Sequence, residues 1–358
     1  MVNILKEKKL SSSIEVVKIV GIIIAITSLM IFPKESAQGI KDGLMLLYET
    51  IVPSLFPFLV LSSYIAESPA TNSFVNLIQP FTSKLFRTNG GGIVAALLGF
   101  AGGYPVAAKT ICQLFEDKKL TQRDAEKLFC WCINPGAAFV ITAVGTFMLK
   151  NTFCGVLMYS SIIISSLITG VAVGFLLPDG EKADTKPSME KKADIFINSV
   201  KNGNNAMISV MGWILLFSCI NNVTRKIIPY KTAVLVIGAV TEVSNGCKIA
   251  CQGNMSLPVI CALLSFGGFA VIFQVAPYAR RCHVSLKNFI CWKILNGALS
   301  AFICTIGECI FPHATQVSTT LTIGSSSLHL NHTVTTALIM CLMCIVFIFQ
   351  VDNRRKMC

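Results

Sequence analysis

The stretch "GFAGGYPVAAKTICQLFEDKKLTQRDAEKLFCWCINPGAAFVITAVG" covers residues 99–145, and its reading decides the fold. An apolar run enters it with the composition of half a membrane helix. Gly102, Gly103 and Pro105 then break the run, and Lys109 follows four residues after the proline. A backbone N–H or C=O left bare in lipid costs several kcal/mol, so irregular backbone belongs where protein or a water-filled cavity satisfies it. Charge decides which way the chain goes. Lys84 and Arg87 precede the segment 91–115, and Lys118, Lys119, Arg123 and Lys127 follow it. Basic residues concentrate on cytoplasmic loops, which places both flanks on one side. Each arm has about 12 residues, or about 18 Å at 1.5 Å per residue, against a hydrocarbon core of about 30 Å. The segment therefore predicts a re-entrant helical hairpin with "GGYP" at its tip.

The rest of the chain agrees with a membrane setting. Of 358 residues, 53% are hydrophobic and 13% charged, where soluble domains carry about 25% charged residues. The runs "VVKIVGIIIAITSLMIF" (16–32), "MYSSIIISSLITGVAVGFLL" (158–177) and "TALIMCLMCIVFIFQV" (336–351) are near the length of a spanning helix. The first is read as a retained anchor, because "SLMIFPKES" after it lacks a small-residue cleavage site. The net charge of +12 sits in short clusters between spans, a topology signal rather than a nucleic-acid surface. The fifteen cysteines form no regular framework; Cys130 and Cys132 make C-x-C without a second pair at zinc spacing. They read as small buried hydrophobes.

These signals predict an all-α polytopic membrane protein of about eight spanning helices and two opposed re-entrant hairpins. Residues 1–41 hold the anchor helix. Residues 42–178 form a first repeat with spans at 43–65, 128–149 and 153–177 and the hairpin at 91–115; a short amphipathic stretch, 72–87, lies in the interface. A cytoplasmic linker, 179–200, follows. Residues 201–311 form a second repeat with spans at 206–222, 257–279 and 289–310 and a broken segment at 231–251. An outer loop without Lys or Arg and a last span, 334–351, complete 312–358. Lys6, Lys8 and Lys9 before the first span and "NRRK" after the last place both termini in the cytoplasm. Lys34, Lys41, Lys150 and the basic "NNVTRKIIPYK" fall on the opposite side, exceptions to a statistical rule.

The two repeats share one plan with opposite orientation. Each has a span, a broken short segment, a span interrupted by glycine, and another span. Asn134-Pro135-Gly136 interrupts the one and Gly267-Gly268 the other. Inverted repeats with discontinuous helices point to a secondary transporter whose solute sits at midplane. Half-helix N-termini there favour anions, and freed carbonyls favour Na⁺ or H⁺, the candidate coupling ions.

The candidate solute-binding residues follow from the breaks: Gly102, Gly103, Tyr104 and Lys109 at the first hairpin, Asn134 and Gly136 at the first interruption, Thr241, Glu242, Ser244, Asn245 and Lys248 at the second hairpin, and Gly267, Gly268 and Gln274 at the second interruption. An ionisable group at membrane depth is a site candidate by default. Each has a plainer reading. Lys109 can snorkel to the interface, Glu242 can pair with Lys248, Tyr104 can be a packing aromatic, and Asn245 and Gln274 can cap freed backbone. Arg280 and Arg281 read as topology signals, and Trp131 as an interfacial belt residue. No Ser-His-Asp arrangement, metal cluster or nucleotide loop is visible, and His283, His313, His329 and His332 lie without metal spacing. The chain reads as a non-enzyme without a resident cofactor or metal. Its partners are a small organic anion and the bilayer, not nucleic acid, and it is a candidate for self-assembly.

"GGYPVAAK", the following "AE", "INPGAAF" and "SFGGFAVIFQ" resemble the motifs of the YlbJ-type (SpoVV) sporulation integral membrane proteins, within the nucleoside-recognition or Gate domain group. The resemblance covers residues 43–304. That group is similar to the concentrative nucleoside transporters, which implies two opposed hairpins and two interrupted helices around the solute. The nucleoside-transporter hairpin carries Gln, Thr and Glu near its tip for the base. Gly103-Tyr104-Pro105 stand here instead, with Lys109 close by, which favours an anion over a nucleoside. The resemblance implies a role in endospore formation, in the cell or forespore membrane, with movement of dipicolinate into the developing spore as the activity. Lys109, Lys248 and helix N-termini suit a planar dianion, and Tyr104 can stack on its ring. A nucleoside or nucleobase carrier and a non-transporting scaffold of a spore-envelope complex are the alternatives.

Overall fold

The computed structural model describes residues 23, 26–68, 83–88, 92–178, 194–228, 236–238 and 240–312. The chain divides into two units, Met1–Val317 and Ser318–Cys358, and the second lies wholly outside the described residues. Every regular element among the described residues is helical.

In chain order these are α1 (Pro33–Leu46), a π-helical turn (Leu47–Ile51) and α2 (Val52–Glu67); α3 (Gly92–Gly102) and α4 (Tyr104–Glu116); α5 (Gln122–Trp131) and a π-helix (Ala138–Met148); and α6 (Thr152–Leu176). After the undescribed 179–193 come α7 (Ile195–Ile227), α8 (Val243–Gln252), α9 (Leu257–Phe266), α10 (Gly268–Arg281) and α11 (Leu286–Ile310). Among the described residues five stretches are long and apolar enough to cross a membrane: Pro33–Leu61, Thr152–Leu176, Ile195–Ile227, Leu257–Arg281 and Leu286–Ile310. They correspond to the expected second, fourth, fifth, sixth and seventh spans.

The expected anchor helix, apart from a helical piece at 26–31, lies outside the described residues, as do most of the amphipathic stretch and the last span. Two expectations need correction. The third span is not one helix: α5 stops at Trp131, Ile133–Gly136 is unwound, and the chain resumes as the π-helix. The fifth span begins at Ile195 rather than 206, so the end of the expected linker is helical. Asn198, Lys201, Asn202, Asn204 and Asn205 lower the hydropathy there and hide the helix from an apolar-run search.

Polarity runs outward-apolar and inward-polar, as a bilayer demands. On α6 the buried face carries Ser161, Ser165, Ser166 and Thr169, while Ile164, Leu167 and Ile168 face out. On α11 Lys293, Asn296 and Ser300 are buried, and Ile294, Leu295 and Phe302 are exposed. Small residues let helices approach closely. A Cβ on Gly39 of α1 would lie 2.7 Å from the Cys219 backbone of α7, and one on Gly203 of α7 2.7 Å from Val60 of α2. Helix starts follow sequence signals: Thr121 and Asp124 form a reciprocal capping box on α5, and Asn151 accepts from the Cys154 N–H on α6.

α3 and α4 pack side by side as a hairpin, so close that a Cβ on Gly99 would lie 2.7 Å from Ala107 Cβ. The turn is Gly103, whose φ of +88° favours glycine. This tip sits on the unwound stretch after α5: a Cβ on Gly136 would lie 2.9 Å from the Ala101 carbonyl and 3.1 Å from the Gly103 nitrogen. The second half repeats the contact. Between α9 and α10, Gly267 and Gly268 have φ of +83° and +78°, and a Cβ on Gly268 would lie 2.8 Å from the Val240 carbonyl. Each interrupted helix thus holds the turn of a neighbouring broken segment against a glycine.

Gly136→Ala and Gly268→Ala are expected to destabilise the protein by about 1–3 kcal/mol, because the methyl meets backbone that cannot swing away. Gly212→Ala, with nothing within 4 Å of its Cβ, is expected to be neutral or better. Thermal unfolding of the detergent-purified variants checks the contrast.

Candidate functional site

A break in a helix frees backbone groups, and their partners define the centre of this molecule. At the first interruption Asn134 donates to the Trp131 carbonyl at 2.6 Å, and Lys293 of α11 donates to the Ile133 carbonyl at 2.7 Å. Asn296, one turn further along α11, donates to Asn134 Oδ1 at 3.3 Å and to Ser166 Oγ at 3.2 Å. Ser165 closes the group by donating to both the backbone and side-chain oxygens of Asn296. Asn134, Ser165, Ser166, Lys293 and Asn296 are all buried.

At the second interruption the partner comes from the first half. Tyr104, at the start of α4, donates its hydroxyl to the Leu264 carbonyl, one of the last of α9. The halves therefore exchange donors: a hairpin tyrosine caps the second break, and a lysine from the second half caps the first. The Lys293 ammonium lies 5.5 Å from the centre of the Tyr104 ring, within cation–π range.

Two cavities adjoin this centre. The inner one, about 50 Å³, is lined by Gly102, Gly103, Tyr104, Gly136, Glu242, Ser244 and Gln274, with Trp213 and Phe139 among its apolar walls. The outer one, about 400 Å³, is lined by Lys109, Asn202, Ser209, Gln274, Asp117 and Lys119. They share Pro105 and Gln274. Four half-helices begin at the inner cavity: α4 with Tyr104 and Pro105, the π-helix with Phe139, α8 with Val243 and Ser244, and α10 with Ala270 and Val271. The Glu242 carboxylate caps the start of α8, accepting from Ser244 and Asn245 N–H at 2.8 Å each. The N-termini of α4, the π-helix and α10 carry no side-chain cap among the described residues. Their partial positive charges remain available to an anion.

The remaining candidate residues stand further off. Lys109 reaches into the outer cavity and donates to Asn202 Oδ1 at 2.7 Å. Asn245 donates to Ser218 Oγ at 2.8 Å, and Thr241 to Asn221 Oδ1 and the Gly238 carbonyl at 3.2 Å. Asn134, Thr241, Asn245, Lys248, Gly267 and Gly268 line neither cavity. Among the described residues Glu242 makes no ion pair with Lys248; its carboxylate accepts from the α8 amides. Gln274 keeps a buried Nε2 without a partner among the described residues. Trp131 is not a belt residue. It is buried, stacked on Phe86 at 4.5 Å, with α6 pressed against it at Gly170.

Sequence reasoning passed over Lys293, Asn296, Ser165 and Ser166. The signal was present: "CWKILNG" sets a lysine and an asparagine three residues apart inside an apolar span, on one helix face.

Apolar helices of spanning length, polar side chains turned inward and interrupted helices satisfied from within define a polytopic, all-helical integral membrane protein. In sequence the chain is similar to the sporulation integral membrane protein YlbJ of Bacillus subtilis (strain 168), 23% identical over 317 residues that cover 75% of this chain and 76% of the relative. No family model matches the chain, and no solved structure matches it.

Tyr104→Phe is expected to cost about 1–3 kcal/mol, since it leaves the buried Leu264 carbonyl unsatisfied. Tyr159→Phe is expected to cost less, because Tyr159 is only partly buried where it donates to the Phe100 carbonyl. Thermal midpoints of the two variants in one detergent test the order.

Proposed function

We propose that the chain is a secondary transporter or facilitator of a small organic anion, and that its solute is dipicolinate, moved into the developing spore during sporulation. The observation that carries the reading is the convergence of four half-helix starts on one cavity, three of them without a side-chain cap. Such ends hold negative charge without burying a full counter-charge. Lys109 adds positive charge along the outer cavity, where Lys119 is paired with Asp117, and Gln274 offers an unused donor where the two cavities meet. The likeness to a sporulation integral membrane protein supplies the setting.

On this reading the outer cavity is the entrance. It opens among Asp117 and Lys119, in the basic loop that the charge rule assigns to the cytoplasm. Its volume falls within the range of ligand pockets, about 300–1,000 Å³. The inner cavity is smaller than a planar aromatic dicarboxylate, so loading widens it, and α4 and α10 are the elements between entrance and inner cavity that must part. The two broken segments then act as re-entrant hairpins from opposite faces of the membrane, in an inverted repeat around the solute.

Sporulating cells lacking this gene are expected to accumulate little dipicolinate, and normal accumulation would remove the preferred solute. In vesicles, Lys109→Ala is expected to insert normally and to lower dipicolinate uptake about tenfold, a loss of about 1.4 kcal/mol. Nucleoside flux that aromatic dicarboxylates do not compete with would assign the site to nucleosides instead. Full spore dipicolinate with the Lys109→Ala protein would favour a scaffold.

A further inference from the structure

Lys293 is a charged side chain buried within a span. It lies within the span Leu286–Ile310 and is 1% exposed. Among the described residues no carboxylate pairs with it: its ammonium meets the Ile133 carbonyl at 2.7 Å and the face of Tyr104. An unpaired cation at membrane depth is retained where it has a task. Its place is informative. Ile133 follows the last turn of α5, at the end of a half-helix whose carbonyls carry partial negative charge. Carbonyls at such an interruption are the groups that hold a coupling Na⁺ or H⁺ in transporters built on discontinuous helices.

We propose that Lys293 is the coupling-cation site: its ammonium stands at the Ile133 carbonyl where a bound Na⁺ would otherwise sit, and the driving ion is the proton this amine carries. The inference rests on the transporter reading above. The amine takes one proton from water on one side of the membrane and returns it to water on the other. Tyr104 is the partition. One face of its surroundings is the inner cavity and the other is Lys293, and its hydroxyl is held by the Leu264 carbonyl. Release of that bond opens the amine to the cavity that receives solute, which ties protonation to loading.

Other titratable groups around Lys293 are few. From α4 comes the Tyr104 phenol, and through the inner cavity Glu242, whose oxygens already accept two amides. From α5 come the buried Cys130 thiol and Glu126, which accepts from Asn288 more than a turn back along α11, and just past its end the buried Cys132 thiol. From α9 comes the Cys261 thiol, which donates to the Ser300 carbonyl about two turns onward. From α6 come only the neutral Ser165 and Ser166, held in the Asn296 network. None of these neutralises the ammonium.

Two measurements test the proposal. In proteoliposomes an imposed pH gradient is expected to drive dipicolinate accumulation by the wild-type protein, and a Na⁺ gradient is not. Lys293→Gln keeps a donor for Ile133 and is expected to lose pH-driven dipicolinate accumulation at least tenfold. Lys293→Arg keeps the charge but cannot release a proton, and is expected to share that loss. Na⁺-driven accumulation by the wild type, or pH-driven accumulation that survives Lys293→Gln and Lys293→Arg, overturns the proposal. The second measurement needs no organic solute. NaCl, compared with choline chloride, is expected to raise the unfolding midpoint of Lys293→Ala by several degrees and to leave the wild type unmoved, since a ligand of the folded state stabilises it. A wild type that Na⁺ stabilises, or a folded Lys293→Ala that it does not, overturns the site. Failure of dipicolinate exchange by the wild type, beside a Na⁺ response in Lys293→Ala, sinks the solute assignment and leaves the cation site standing.

Discussion

Everything at the centre of this protein depends on satisfying the carbonyl that the chain frees at Ile133. A helix interrupted inside a bilayer has no water to turn to, so its exposed backbone must find donors within the protein. Lys293 supplies one, Asn134 donates to the Trp131 carbonyl, and Asn296 ties Asn134 to Ser166. The interruption in turn receives the tip of the α3–α4 hairpin, because Gly136 has no side chain to keep Gly103 away. Without the donors, buried backbone at the break is left unsatisfied. Remove the break and the hairpin has nowhere to rest.

The second centre answers the first with different chemistry. There the freed carbonyl belongs to Leu264 and the donor is the Tyr104 hydroxyl, carried by the other half of the chain. Glycines with positive φ make the interruption instead of a proline. The outcome is one cavity faced by the starts of four half-helices, of which Glu242 neutralises one. A field of partial charges from backbone dipoles is fixed in place there, and needs no side chain to reorient.

The breaks themselves were legible. Gly102-Gly103-Tyr104-Pro105, Asn134-Pro135-Gly136 and Gly267-Gly268 each announce a discontinuity through a missing N–H or a missing Cβ, and the structure interrupts the chain at each. What the breaks dock onto was not legible, since the approach of Gly136 to Ala101 or of Gly268 to Val240 is a tertiary fact with no local signature. Lys293 was hidden by its neighbours: Arg280, Arg281 and Lys287 explain local basicity as a topology signal, and a fourth cation is easily absorbed into it. The early start of α7 was hidden by asparagines, which lower hydropathy without preventing a helix that tertiary packing holds. Trp131 adjoins a charged helix in sequence, yet the following residues turn it inward against Phe86 and Gly170.

The positions of these contacts along the chain have a consequence for assembly. Gly103 meets Gly136, and Val240 meets Gly268, across loops of about 30 residues, so each closure loses little chain entropy. Each can form as soon as its own segments have entered the membrane. The Tyr104–Leu264 and Lys293–Ile133 bonds both join residues 160 apart. They wait for the second half to be synthesised. These two bonds join the halves beside the helix packing of α1 and α2 on α7 and the Ser165–Asn296 and Lys109–Asn202 contacts, all of which need both halves present.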